Sequence, residues 1–176
     1  MPVLQFTGMP GAGKTTLANR LVVLLHERNI DAVVIDGDVY RKTISKDLGF
    51  SIADRMENIR RLGMEAYRLS QEGRLVIIAA INPMEASRRE LKNLYGAKLV
   101  WLRCSIETLQ QRDTKGLYKR AMLADDHPMK IHNLSGINDP FEEPASPDLV
   151  IDTGESSIPN CSDTLFDFTL SLLKNI

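Results

Sequence analysis

Short, nearly continuous apolar runs alternate along this chain with longer stretches whose apolar residues recur every three to four positions. Five runs stand out: Val3-Leu4-Gln5-Phe6-Thr7, Ala32-Val33-Val34-Ile35, residues 74–80, residues 97–102 and Asp148-Leu149-Val150-Ile151. Runs of this length without polar alternation predict strands of a parallel sheet covered on both faces. Between them, Leu17, Leu21, Leu24 and Leu25 have helical spacing and predict a helix from 14 to about 28, ending near Asn29, which tolerates a left-handed cap. Ser51-Ile52-Ala53-Asp54 has capping-box spacing, with Asp in place of Glu, and opens a long helix to about 71 that Gly73 closes. Pro83 suits the first turn of a helix running to about 95, before Gly96. Ser105 caps a helix to about 112, and residues 161–175 close the chain as a helix.

Strands alternating with helices predict an α/β fold of three layers around a five-stranded parallel sheet, with ligands at the carboxyl ends of the strands. The 176 residues, 43% of them hydrophobic, suit a single domain spanning 1–176. Residues 113–147 break the alternation. They carry Gly116, Gly136 and four prolines with no sustained period, and the basic Lys115, Lys119, Arg120 and Lys130 with His127 and His132. A long irregular segment of this composition predicts a mobile lid able to meet phosphates rather than an inert loop.

The chemistry is concentrated after the first strand. Gly8-Met9-Pro10-Gly11-Ala12-Gly13-Lys14-Thr15-Thr16 spells GxxxxGK[ST] between a strand and a helix, the phosphate-binding loop. Its glycines let backbone N–H groups close around anionic oxygens at a helix N-terminus, Lys14 reaches the terminal phosphates, and the Thr15 hydroxyl is a magnesium ligand. A glycine-rich turn without a ligand is the plainer reading. The second apolar strand ends in Asp36-Gly37-Asp38, and at i and i+2 in extended chain these carboxylates share a face. Such a pair holds Mg²⁺ through water and orients an attacking hydroxyl, although Asp38 could simply cap a helix over 39–45. The third strand ends in Ala80-Ile81-Asn82-Pro83 with no acid, and no Asn-Lys-x-Asp segment occurs, so a small-molecule kinase is favoured over a GTPase switch.

On the long helix, Ile59, Leu62, Gly63, Ala66 and Leu69 form the apolar stripe, Arg55 projects along it and Asn58 lies at its edge. An inward cation needs a partner. An anionic acceptor could supply it, or an internal salt bridge to Asp36, Asp38 or Asp54. Arg60, Arg61, Arg68 and Lys92 point away as solvated faces. The net charge of −1 excludes a broad basic field for nucleic acid or anionic membrane, and no apolar run approaches a bilayer span. Two cysteines, Cys104 and Cys161, make neither a disulfide framework nor a zinc site, and a reducing cytoplasm fits them.

Residues 5–16 (QFTGMPGAGKTT), 36–41 (DGDVYR), 48–61 (LGFSIADRMENIRR), 112–121 (RDTKGLYKRA), 134–144 (LSGINDPFEEP) and 152–153 (DT) together resemble adenylylsulfate kinase. The resemblance runs nearly end to end. It implies the P-loop NTPase fold and an enzyme moving the γ-phosphate of ATP to the ribose 3′-hydroxyl of adenosine 5′-phosphosulfate. By that resemblance Gly8 to Thr16 and Arg112 hold ATP, Thr15 and Asp36 serve Mg²⁺, and Lys14, Asp38 and Lys115 are catalytic. Asp36, Asp38, Arg41, Phe50, Arg55, Asn58, Ile81, Asn82, Lys115, Gly116, Leu117 and Leu134 fall on acceptor-binding positions, with Phe50 stacking on the base. The partner implied is a small nucleotide, with no nucleic acid and no membrane, in a cytoplasmic homodimer.

The chain departs from the family on the acceptor side. Ile81-Asn82-Pro83-Met84-Glu85 stands where Ile-Ser-Pro, an aromatic and an arginine are usual, and Asn82 cannot carry a phosphoester, so direct transfer is predicted. Glu85 reverses the sign of a charge near the acceptor pocket. Leu134 replaces an aromatic, a change worth ~1–3 kcal/mol of base stacking. These departures leave room for a paralogous kinase acting on another nucleotide, such as a cytidine diphosphate derivative, and a non-catalytic nucleotide sensor is a further alternative.

Overall fold

The computed structural model describes residues 1–113 and 115–174. Thr114, within the predicted lid, and Asn175, the last residue of the predicted closing helix, lie outside the described residues. β1 (Val3–Thr7) is central. It pairs in parallel with β3 (Leu75–Ala79) on one side and β4 (Lys98–Arg103) on the other, while β2 (Ala32–Asp36) and β5 (Leu149–Asp152) complete the all-parallel order β2-β3-β1-β4-β5. Every residue of β1 and β3 is buried, which is why these runs show no alternation.

The helices are α1 (Lys14–His26), α2 (Gly37–Tyr40), α3 (Ile52–Gln71), α4 (Glu85–Tyr95), α5 (Ile106–Arg112), α6 (Leu117–Ala121) and α7 (Ile158–Leu173). Successive strand residues face opposite ways and feed two cores. Leu4, Phe6, Ile77, Val100 and Leu102 pack with Leu17, Leu21 and Leu25 of α1 and Leu165 of α7. Val3, Val76 and Ile78 pack with Ile59, Leu62, Ala66 and Leu69 of α3 and Leu91 of α4. Three layers follow, as the alternation of elements predicts.

Local chemistry fixes most boundaries. Ser51 Oγ accepts from Asp54 N at 3.1 Å and donates to its carboxylate at 2.7 Å, Ser105 Oγ accepts from Thr108 N, and Asn29 and Gly96 adopt left-handed conformations. Three expectations need correction. The predicted helix over 39–45 is instead the short α2, because Asp36, not Asp38, caps it by accepting from Asp38 N and Val39 N. α4 starts at Glu85 rather than near Pro83, since Asn82 turns left-handed (φ 43°) and Glu142 accepts from Glu85 N. α7 starts three residues before 161, where Ser157 caps and Pro159 occupies the first turn. Between 113 and 147 the described residues contain α6 and an isolated bridge, Ser135 to Asp139, as their regular structure.

Candidate active site

The loop leaving β1 closes against the sheet. At Gly8 a Cβ would lie 2.6 Å from Leu102 O, and Gly13, in the left-handed region at φ 88°, delivers the chain into α1. Lys14 Nζ donates to Gly8 O at 2.7 Å and Met9 O at 2.8 Å, so the cation is folded back over the loop it belongs to. Burial pulls its pKa down to about 8, against the opposing pull of Asp38 and Asp36. Thr15 Oγ1 donates to Asp36 Oδ2 at 2.7 Å, which joins the loop to the end of β2.

In front of the loop lies a cleft of about 940 Å³. Of the residues predicted from sequence, Pro10 to Thr16, Asp36, Asp38, Phe50, Arg55, Ile81, Arg112, Lys115, Leu117 and Leu134 line it. Gly8, Met9 and Gly116 do not line it: the Gly8 and Met9 carbonyls accept from Lys14, and Gly116, left-handed, is the N-cap of α6. Arg41, Asn58 and Asn82 instead line a side cavity of about 40 Å³ that Asp38 also borders. Asp38 therefore stands where loop, main cleft and side cavity meet. The exposed Lys115 ammonium lies 3.5 Å from its carboxylate.

The premise that Asp36 and Asp38 share a face of extended chain does not hold, because Asp38 is helical. The result is a division of labour: Asp36 turns to Thr15 and the cap, and Asp38 to the open cleft. Arg55 also departs from expectation. None of Asp36, Asp38 or Asp54 is its partner; Asp139 is, at 2.8 Å, while the guanidinium donates to Phe50 O and Asn133 O as well. Arg41 and Arg55 lie 4.7 and 5.6 Å from the centre of the Phe50 ring, and Arg41 donates to Gly49 O. Within 113–147, Arg120 and Lys130 do not face the cleft. They donate to Met129 O and Leu123 O and hold the segment's own backbone. Glu85 lines neither cavity, and its charge is matched by Arg88 at 2.9 Å. Arg61 is likewise held by Asp47 and Glu57 rather than free in solvent.

The model of the adenylylsulphate kinase family matches residues 2–152. The chain belongs to that family. A probable adenylyl-sulfate kinase of Bacillus subtilis is 39% identical over 175 residues, 98% of this chain and 86% of that protein. An adenylyl-sulfate kinase of Chloroflexus aurantiacus is 43% identical over 164 residues, 93% of this chain and 86% of that one. Among solved structures, the APS kinase of Mycobacterium tuberculosis in complex with AMPPNP and APS superposes with a TM-score of 0.87 at 34% identity, covering 96% of each chain.

Several residues of this adenylylsulphate kinase site escape the sequence patterns. Tyr118 OH donates to Pro10 O at 2.8 Å, tying α6 to the phosphate loop. Arg88, 1% exposed, donates to Asn82 O and Glu142 O. Arg88 shares a buried stripe with Leu91, so helical periodicity marks it just as it marks Arg55. Asn133 sits in irregular chain and Asp139 in a single isolated bridge, and neither gives a periodic signal. Thr15 and Asp36 offer paired hard oxygens that fit Mg²⁺, and among the described residues no cluster of three or more His, Cys, Asp or Glu could hold a metal, so nucleotide oxygens and water would complete the shell. Among the described residues no helix is long and apolar enough to cross a membrane.

Proposed function

We propose that this family member transfers the γ-phosphoryl group of ATP directly to the ribose 3′-hydroxyl of adenosine 5′-phosphosulfate, releasing ADP. The observation that carries the reading is the position of Asp38 at the junction of the phosphate loop, the cleft and the side cavity, with Lys14 and Lys115 beside it. The loop N–H groups and the N-terminus of α1 receive the phosphates. Lys14 gives up the Gly8 and Met9 carbonyls for phosphate oxygens, whose charge raises its pKa and keeps it cationic. Mg²⁺, held by Thr15 and Asp36, would neutralise charge on the β- and γ-phosphates. Asp38 accepts the proton of the 3′-hydroxyl as its oxygen bonds to the γ-phosphorus and the bond to the β-phosphate oxygen breaks. Lys115 then shifts from the Asp38 carboxylate to the phosphoryl oxygens. With Asn82 in place of serine, no phosphoester can form on this residue, so transfer is direct.

A second reading, a paralogous kinase acting on another nucleotide such as a cytidine diphosphate derivative, is favoured by one feature. Leu134 is a buried aliphatic residue, so it offers an acceptor base no second aromatic face to pair with Phe50. The test is a panel of nucleotide acceptors with MgATP, wild type against Asp38→Asn. The expected result is a 3′-phosphorylated product from adenosine 5′-phosphosulfate and a loss of kcat of about 10²–10⁴ in the variant with ATP binding retained. Product from a different nucleotide alone would move the acceptor assignment to the second reading, and equal activity of the variant would remove Asp38 from its role. We further infer one domain over 1–176 with residues 113–147 as its lid, a cytoplasmic setting and, from the family resemblance, a homodimer. A relative from Thiobacillus denitrificans is a hexameric APS kinase.

A further inference from the structure

Lys115 reaches Asp38, but that contact does not fix it in place. The two side chains are 72% and 79% exposed and 3.5 Å apart, and an ion pair in so much water holds its partners weakly. The position of the ammonium must therefore come from the backbone beneath it. There, Gly116 N donates to Asp113 O at 2.9 Å, and Gly116 takes the left-handed conformation at φ 64°. The Asp113 carboxylate accepts from the N–H groups of Leu117, Tyr118 and Lys119 at the start of α6. Lys115 is thus braced as one piece with α6, so whatever locates α6 also locates the lysine.

Tyr118 supplies that location. It is 2% exposed and belongs to the same core as Ala12, Leu17 and Leu109. Its OH donates to Pro10 O at 2.8 Å. Burial, with smaller contributions from Cys104 and Asp113, raises the phenol pKa, so the group remains a donor. Pro10 O and the Gly11 N–H belong to one planar trans peptide and point in opposite directions, so the tyrosine also sets the orientation of a donor-loop amide. The loop is the firmer side of this bond: Ala12 N donates to Met9 O, Gly8 N to Ile81 O, and Thr15 Oγ1 to Asp36 Oδ2. α6, by contrast, is five residues long, in a segment whose described residues hold little other regular structure. Loss of the hydroxyl would therefore free α6 and not the loop.

We propose that Tyr118 is a positioning residue for the transfer: its bond to Pro10 ties α6, and with it Lys115, to the peptide frame of the donor loop, so that the Lys115 ammonium is aligned with the phosphoryl group that leaves the triphosphate. The proposal rests on the reading of the chain as a kinase in which Lys115 serves that phosphoryl group. The acceptor takes no part in this alignment, since the tyrosine refers the lysine to the donor loop alone. Misplacing a group that must meet the reacting atoms by about 1 Å costs on the order of 10²-fold in rate.

The experiment is a double-mutant cycle in kcat with MgATP and adenosine 5′-phosphosulfate: wild type, Tyr118→Phe, Lys115→Met and the double variant, with rates normalised to the sites that bind ADP. Tyr118→Phe keeps the ring and removes only the hydroxyl. It should lose about ten- to a hundredfold in kcat, with KM for ATP changed by less than about threefold. In the Lys115→Met background the same substitution should change kcat by less than about twofold. A merely structural role would lower both backgrounds by the same factor; that result, or an unchanged kcat in Tyr118→Phe, overturns the proposal and leaves the kinase reading intact. Tyr118→Met goes through the same cycle, and if neither variant binds ADP the hydroxyl serves folding and the proposal falls. A second readout needs no turnover. Bound MgAMPPNP, a non-hydrolysable ATP analogue, should slow acetylation of the Lys115 amine several-fold in wild type and not in Tyr118→Phe, as read by mass spectrometry. Equal protection in the two proteins, none included, overturns the proposal. Absence of wild-type turnover with every acceptor counts against the kinase reading and leaves the protection comparison to decide this one.

Discussion

Replacing Lys14 with methionine should abolish phosphoryl transfer and make the unliganded protein more stable near pH 7. Lys14 is held at a pKa of about 8, against an ordinary 10.5, because burial outweighs the attraction of Asp38 and Asp36. At ~1.36 kcal/mol per pH unit, this fall corresponds to about 3 kcal/mol of strain on the folded state while the lysine is charged. Partial solvent access of the side chain, and the Gly8 and Met9 carbonyls that lose a donor, reduce the net gain to about 2 kcal/mol. The sign follows from proton binding. Below pH 8 both folded and unfolded chains carry the proton and the cost is present in full; between pH 8 and 10.5 the folded chain binds fewer protons, so wild-type stability recovers as pH rises. Thermal unfolding of both proteins without nucleotide from pH 7 to pH 10 is the assay. The variant should melt about 4–8 °C higher at pH 7, and its advantage should shrink toward pH 10. Addition of MgATP should reverse the order by stabilising wild type alone. A gap that stays constant or widens with pH would refute the argument that the charge on Lys14 destabilises the empty loop.

Two other substitutions test packing around the site. Arg88→Met removes the donors to Asn82 O and Glu142 O and strands Glu85, so urea unfolding should show a loss of about 3–5 kcal/mol; a loss below 1 would mean that this buried ion pair is dispensable. Gly63→Ala would put a Cβ 2.1 Å from Leu91 Cδ2 and 3.0 Å from Tyr95 Cε2, where α3 meets α4. Overpacking of about 1–3 kcal/mol should exceed the helix-propensity gain of about 1 kcal/mol, so the melting temperature should fall.

The layers of the fold are legible in the sequence because local signals agree with the tertiary result. The buried runs of β1 and β3, the serine caps at 51 and 105 and the left-handed Asn29 each act over a few residues. The phosphate loop is legible for the same reason, since one short segment holds the glycines, Lys14 and Thr15. What sequence periodicity misses is long-range pairing. That Arg55 is inward follows from a helical wheel, but that Asp139 meets it depends on how irregular chain 84 positions later comes back across the cleft. Likewise, two acids two residues apart read as a pair only if the strand continues, and the cap at Asp36 ends it two residues short of Asp38.

The bare backbone at Gly136 packs against Met9, so that a Cβ there would lie 2.5 Å from the methionine methyl. Donor loop and acceptor wall are therefore not separable modules. A segment transplanted from another kinase to change the acceptor would have to arrive with glycine at this position, because the left-handed backbone there (φ 85°) demands it even where Met9 gives way. Variation in the acceptor segment is thus filtered by the donor loop it packs on and by its own backbone.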